Sequence, residues 1–171
     1  MLTVLGEQAV LRRPCALLLG AFDGFHIGHR TLLDAAKQTG LPVAALTIMG
    51  GKQGGSLFLP AERRMVLHRL GAAYTLEYTF TEQFRETPAV HFLAALFSRI
   101  CAGAVFCGED FRFGAGAEGT PDLLKRMAPC PVAVLPLKEA GGEKVSSSRI
   151  KRLLADADMA GANALLCVPY F

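Results

Sequence analysis

The sequence has no apolar run long enough to cross a lipid bilayer. Hydrophobic residues make up 51% of the 171 residues, but glycine, proline and charged residues interrupt them before the roughly 20 consecutive residues that a membrane-spanning helix needs. A secretory signal is also lacking, because Arg12, Arg13 and Pro14 break the apolar character near the N-terminus. These absences exclude a membrane span and predict a soluble protein in the cytoplasm.

Closely spaced cysteine pairs are absent as well. The five cysteines stand at scattered positions in mostly apolar surroundings, which predicts free, buried thiols and no disulfide framework. A structural zinc site would need a second ligand pair beside His26 and His29, and the chain offers none at short spacing. The net charge of +3 is small, and the basic residues are spread without interleaved aromatics, so we expect no nucleic-acid surface.

Short apolar segments alternate with segments of helical periodicity along most of the chain. The predicted strands are residues 15–22, 43–49, 74–78, 104–107 and 132–137, and the predicted helices are residues 30–37, 60–70, 88–101, 121–127 and 146–155. Strands that are apolar throughout and separated by helices are typical of a parallel sheet covered on both faces. We therefore predict an α/β fold with a Rossmann-like, doubly wound parallel sheet, in one domain spanning residues 1–171.

Ligands of such sheets bind beyond the carboxyl ends of the strands, and the first polar cluster follows the first predicted strand. It is the run GAFDGFHIGH at residues 20–29, in which His26 and His29 would share one side of a first helical turn. Glycines let a backbone approach a ligand closely, and the free amides of a helix start favour an anion. A lone histidine here is usually a helix cap or a packed core residue, but the pair among glycines indicates a triphosphate site.

The second cluster is GEDFRFG at residues 108–114, directly after the predicted strand that ends at residue 107. Two aromatic rings beside an acid and an arginine suit a packed turn as well as a binding site. The position favours a site, because loops at this sheet edge tend to carry function.

The third cluster is VSSSRIK at residues 145–151, at the start of a predicted helix. Hydroxyls followed by cations make a good N-cap and a solvated first turn, which requires no ligand. The same groups also suit a phosphate, such as a leaving pyrophosphate, because hydroxyls, helix-start amides and basic side chains converge there.

Taken together, these runs resemble the motifs of the bacterial FAD synthetase family, within the HxGH nucleotidylyltransferase superfamily. GAFDGFHIGH is similar to GxFDGxHxGH and GEDFRFG to GxDFRFG, while VSSSRIK is similar to SSTxxR with Ser148 for threonine and Lys151 for arginine. The resemblance covers nearly the whole chain, and residues 162–170 are similar to the family's linker out of this domain. In bifunctional members a riboflavin kinase domain would follow, whereas this chain stops at Phe171. We therefore expect a single FMN adenylyltransferase-like domain with no riboflavin kinase domain.

The resemblance implies transfer of AMP from ATP to FMN, giving FAD and pyrophosphate. It also implies that Mg²⁺ is held mainly by the substrate phosphates, with no metal ligands from the protein. The catalytic residues would be His26, His29, Arg149 and Lys151. ATP would be bound by Gly20, Phe22, Asp23, His26, Gly28, His29, Ser146, Ser147 and Ser148. FMN, including its flavin, would be bound by Asp110, Phe111, Arg112 and Lys52.

One segment departs from the family pattern. Where the family has Phe-x-Pro-His-Pro after the second strand, this chain has IMGGK at residues 48–52, with Lys52 as the only charge. Two alternatives therefore stay open: nucleotidyl transfer to another phosphorylated acceptor, and a nucleotide- or flavin-binding module with weak turnover. The sequence leaves the oligomeric state open, and a monomer is compatible with it.

Overall fold

The computed structural model describes residues 1–50 and 55–170. Its main sheet has six strands in the order β1-β4-β3-β2-β5-β6, and all neighbouring strands are parallel. These strands are β1 (Thr3–Gly6), β2 (Leu11–Leu19), β3 (Val43–Met49), β4 (Tyr74–Thr79), β5 (Ile100–Gly108) and β6 (Val132–Leu135). The predicted α/β class with a doubly wound parallel sheet is thus confirmed.

Helices cover the sheet and connect its strands. They are α1 (Ile27–Lys37), α2 (Pro60–Arg69), α3 (Glu82–Arg85), α4 (Ala89–Arg99), α5 (Pro121–Met127), α6 (Ser147–Ala155) and α7 (Met159–Leu165). A small antiparallel hairpin, β7 (Glu139–Ala140) with β8 (Glu143–Lys144), stands between β6 and α6. None of the helices in the described part of the chain combines the length and the apolar character that a bilayer crossing demands.

The central strand β2 feeds a separate core on each face of the sheet. Because side chains alternate along a strand, Leu17 and Leu19 pack on one face, and Ala16 and Leu18 on the other. The first core is completed by α4 and α5, and the second by α1 and α2. A third, smaller cluster lies between α6, α7 and the segment at Leu57. Both sheet faces are therefore covered, which explains why residues 15–19 of β2 and most of β3 are apolar.

Most element boundaries agree with the sequence, and the exceptions have physical causes. β2 begins four residues before its predicted start, because Leu11 pairs with Ile100 and a register shift follows. β2 ends at Leu19, since Phe22 has a positive φ of 45° that turns the chain. The predicted helix 88–101 ends at Arg99, and β5 follows without a break at Ile100. No glycine or proline marks that boundary, so periodicity alone placed it too late.

The strand order creates a switch point beside β2. After β2 the chain fills one half of the sheet with β3 and β4, then crosses to add β5 and β6 on the other side. In open α/β sheets such a switch leaves a crevice at the carboxyl ends of the two strands that flank it. The loops after β2 and β5 carry the first two polar clusters, so the topology brings these clusters together.

Candidate active site

A cavity of about 1060 Å³ opens at the carboxyl ends of the strands. The structure brings most of the sequence-predicted site residues to its lining. From the first cluster these are Gly20, Phe22, His26, Gly28 and His29; from the second Asp110, Phe111 and Arg112; and from the third Ser146, Ser147 and Ser148. The cavity therefore joins three segments that are far apart in sequence.

The loop after β2 is bent sharply by Phe22. This buried residue has a φ of 45°, a left-handed conformation that is unfavourable for a bulky side chain. Its ring lies over Gly20, where an added Cβ would be 3.1 Å from the Phe22 Cζ. The absence of a side chain at Gly20 therefore leaves room for the Phe22 ring.

The two histidines form a stacked pair at the start of α1. Their ring centroids are 3.6 Å apart with an interplanar angle of 14°. His26 is the N-cap, its Nδ1 accepting from the amide of His29 at 3.2 Å, and His29 Nδ1 accepts from the amide of His26 at 3.5 Å. Because both Nδ1 atoms accept, these bonds assign the ring proton of each histidine to Nε2. The pair is thus preorganised to present two Nε2–H donors.

Neighbouring groups hold this pair in place. The ring of His29 contacts the rings of Phe22 and Phe25, at centroid distances of 4.7 and 5.4 Å. A Cβ added at Gly28 would lie 3.1 Å from the His26 ring. The glycine in the HIGH run therefore makes room for an imidazole, as well as letting a ligand approach.

Asp23 lies beneath this loop in a cluster of charges. Its carboxylate is buried, with 1% of the residue exposed, and accepts from the amide of Leu57 at 2.8 Å. It also pairs with Arg63 at 3.1 Å and with Lys151 at 3.0 Å. Among the residues that the structure describes, Asp23 is outside the cavity lining. A contact between this carboxylate and ATP stays a prediction.

The start of α6 is capped by the serines of the third cluster. Ser146 is the N-cap and accepts from the amide of Arg149 at 3.1 Å. The Ser147 hydroxyl donates to the main-chain oxygen of Asp23 at 2.6 Å, which ties α6 to the histidine loop. Ser148 is exposed at the cavity wall. The helix start and the histidine pair thus face one space.

The two cations that follow these serines, Arg149 and Lys151, make their contacts outside the cavity lining. Arg149 donates to the main-chain oxygens of Ala140 and Glu143, both at 2.8 Å, and lies 3.3 Å from the Glu143 carboxylate. Lys151 Nζ pairs with Asp23 and donates to the main-chain oxygen of Gly55 at 2.5 Å. Over residues 1–50 and 55–170, neither cation contributes to the cavity lining. Their predicted direct contact with phosphate stays a prediction.

Two lysines that the sequence analysis missed do line the cavity, Lys138 and Lys144. Both belong to the segment around the β7–β8 hairpin, and Lys144 forms an ion pair with Asp110. Hydrogen bonding from Arg152 lowers the pKa of the neighbouring Glu143 carboxyl, which favours its ionised form next to Arg149. The sequence signal for the two lysines was their position after β6, at the ligand-binding edge of the sheet.

The second cluster forms one side of an aromatic wall. The Phe111 and Phe113 rings stack at 5.3 Å with an angle of 23°, and Arg112 donates to the main-chain oxygen of Phe111 at 2.8 Å. Phe113 in turn contacts Phe92, which meets Phe84 edge-on at 5.9 Å. Sequence analysis missed Phe84 and Phe92, because α3 has only four residues and α4 reads as an ordinary core helix. A wall of this kind suits a flat aromatic ligand.

Lys52 lies outside the described residues. Within those residues, no group of three or more His, Cys, Asp or Glu side chains is arranged to hold a metal ion.

Burial raises the pKa of Cys15 to about 12 and of Cys107 to about 11, so both are neutral thiols at physiological pH and poor nucleophiles. The expectation of buried thiols is wrong for Cys101, which is exposed because it alternates with the buried Ile100 and Ala102 along β5, and Cys130 and Cys167 are only partly buried.

Comparison with known proteins agrees with this geometry. The family model for FAD synthetase matches residues 9–149. The chain is 30% identical to the bifunctional riboflavin kinase/FMN adenylyltransferase of Escherichia coli (strain K12), over 91% of this chain and 55% of that protein. It is 26% identical to a protein named FAD synthetase from Listeria monocytogenes serovar 1/2a, over 93% of this chain and 71% of that protein.

A crystal structure described as that of a macrolide-efflux protein from Streptococcus pneumoniae has the same fold. The TM-score is 0.90 at 26% identity, covering 99% of this chain and 63% of that chain. The chain spans about half the length of the bifunctional relatives. The match over residues 9–149 and the motifs that converge on the cavity lead to one conclusion: this chain belongs to the FAD synthetase family.

Proposed function

We propose that this chain is an FMN adenylyltransferase, which transfers AMP from ATP to FMN and releases pyrophosphate. The observation that carries the proposal is the stacked pair of His26 and His29, which is preorganised at the start of α1. This pair lines the same cavity as the aromatic wall. A donor site for phosphate and a flat apolar site are then neighbours. A transfer between a triphosphate and a flavin phosphate needs both.

The reaction we propose is a single in-line displacement. A phosphate oxygen of FMN forms a bond to the α-phosphorus of ATP, and the bond from that phosphorus to the bridging oxygen of the β-phosphate breaks. Negative charge accumulates on the phosphate oxygens during this step, and Nε2–H donors of His26 and His29 would stabilise it without having to reorganise. Positioning and charge stabilisation then supply the catalysis.

The start of α6 is proposed to hold the leaving pyrophosphate. Ser146, Ser147 and Ser148 at the start of α6 line the cavity, and a helix N-terminus favours an anion. Lys138 and Lys144 also line the cavity and add positive charge, and Lys144 pairs with Asp110. Arg149 and Lys151 would act from outside the cavity lining: Arg149 would fix the β7–β8 hairpin, and Lys151 would fix the loop of Asp23.

The aromatic wall is proposed to bind the flavin ring. Phe111 would stack or pack against the isoalloxazine, with Asp110 and Arg112 at the rim supplying polar contacts. Mg²⁺ would enter as part of the MgATP substrate, because it prefers phosphate and water oxygens and the described residues form no metal cluster. It would neutralise part of the triphosphate charge.

The test is incubation of the purified chain with ATP, MgCl₂ and FMN, with FAD followed by chromatography. We expect FAD, and a rate about 10² to 10³ lower in His29→Ala, the loss typical of removing one transition-state donor. His26→Ser retains a side-chain oxygen for the N-cap and should lose a similar amount. His91→Ala, an exposed histidine on α4, is the matched control and should leave the rate unchanged.

The departure at residues 48–52 makes a second acceptor worth testing in the same experiment. Pyrophosphate release is measured with FMN and with a panel of other phosphorylated acceptors. A strong preference for another acceptor would replace FMN in the proposal. Binding of MgATP without pyrophosphate release for any acceptor would instead indicate a binding module.

A further inference from the structure

Arg63 is a buried cation to which neither the motifs nor the proposed mechanism assigns a role. It stands in the first turn of α2, only 6% of it is exposed, and in the described part of the chain it is outside the cavity lining. A buried charge is costly unless it is paired and hydrogen-bonded. The contacts that Arg63 makes must therefore compensate for its burial.

The guanidinium of Arg63 contacts three separate segments near the cavity. Nη1 donates to the main-chain oxygen of Ile48, at the end of β3, at 2.8 Å. Nη2 donates to the Ser56 hydroxyl at 2.6 Å and to the Asp23 carboxylate at 3.1 Å, and Nε donates to the main-chain oxygen of Phe58 at 3.2 Å. A planar group with donors on all three nitrogens is suited to such a junction, whereas an ammonium is not.

The contact to Asp23 extends this junction to the catalytic side of the cavity. Asp23 lies three residues before His26, and its main-chain oxygen accepts from Ser147 at the start of α6. The loop that carries the histidines, the start of α6 and the segment after β3 are thus all connected to one guanidinium. In the proposed function, the first two segments hold ATP, and Ile48 at the end of β3 lines the same cavity as the aromatic wall proposed for the flavin.

We propose that Arg63 is a positioning residue, which sets the ATP side of the cavity against the acceptor side. This inference rests on the proposed function. Arg63 touches neither substrate; it acts through Asp23 on the loop of His26 and His29. Displacement of a reacting group by about 1 Å can cost about 10²-fold in rate, even when the substituted residue is remote from the chemistry.

The test compares Arg63→Met, Arg63→Lys and Arg64→Met. Arg64 is the matched control, since it is the next residue of α2 and forms a half-exposed ion pair with Glu77. We expect kcat to fall about 10²-fold in Arg63→Met, with little change in the KM for ATP because no direct contact is lost. Arg63→Lys restores the charge but not the planar donors, so its kcat should lie in between. Arg64→Met should behave as the wild type.

A double-mutant cycle with Asp23→Asn separates positioning from a general loss of stability. If Arg63 acts through Asp23, the double variant loses about as much kcat as either single variant, since coupled residues are not additive. Activity is measured well below the melting temperature of each variant, with near-UV circular dichroism to verify folding. Multiplicative losses, or a wild-type kcat in folded Arg63→Met, would overturn the inference.

Imidazole resonances of His26 and His29 give a readout that does not depend on turnover. Positioning predicts that these resonances shift in Arg63→Met and stay unchanged in Arg64→Met. Wild-type protein that makes no FAD would refute the proposed function alone, and the resonances would still decide the role of Arg63. Histidine resonances unaffected by Arg63→Met would refute the positioning role of Arg63.

Discussion

Gly28 leaves no space for a side chain beside the histidine pair. A Cβ there would lie 3.1 Å from the Cε1 and Nδ1 atoms of His26, so Gly28→Ala should displace that ring by a few tenths of an ångström. We expect kcat to fall about 10-fold, less than for a full misplacement. Stability should hold, because alanine is favoured over glycine within helices by up to about 1 kcal/mol.

Steady-state kinetics and urea unfolding check this prediction together. Gly6→Ala is the control, since nothing lies within 4 Å of a Cβ at that position. An unchanged kcat in Gly28→Ala would mean that the exact placement of the His26 ring does not limit the reaction.

Single residues also mark the limit of prediction from sequence. The motifs identified side chains that line the cavity, such as His29 and Phe111, because the spacing of a motif reflects local geometry. They did not reveal that Lys151 and Asp23 pair with each other, or that Arg63 joins them. Those contacts depend on which loops meet across the sheet, and no local pattern encodes that.

Among the elements, α6 depends on its N-cap. Ser146 accepts from the amide of Arg149, whereas Ser148 is exposed and stands inside the first turn. We therefore expect Ser146→Ala to lower the free energy of unfolding by about 1 kcal/mol and Ser148→Ala to leave it unchanged. Urea denaturation monitored by circular dichroism measures both. Equal effects of the two substitutions would contradict the assigned cap.

Element length decided which parts of the fold were predictable. Long apolar strands such as β3, and helices with clear ends such as α5, were predicted with the bounds that the structure has. β1, α3, β7 and β8 were not predicted and have four residues or fewer, too few for a period to show. α7, with seven residues, was missed as well. The glycines at 141 and 142, with φ of 63° and 76°, were a usable hairpin signal, because such turns require positive φ.

For the molecule as a whole, the proposed function predicts stabilisation by ligand. A ligand that binds only the folded state at 100 times its dissociation constant adds about 2.7 kcal/mol, which raises the melting temperature of a chain of this size by about 5–11 °C. Scanning calorimetry with MgATP tests this expectation. The variant combining His26→Ser with His29→Ala should show a smaller rise, and the absence of any rise in the wild type would contradict an ATP site.

The pairing of β2 with β5 has a consequence for the order of folding. Ala16 lies opposite Ala104, so the two strands that flank the cavity meet only after most of the chain has been made, and such non-local pairings form slowly. β2, β3 and β4 are close in sequence and can associate earlier. We therefore expect the histidine loop to form before the cavity does, because the cavity is complete only when β5 has paired with β2 and residues 135–148, which follow β5, have closed its other side.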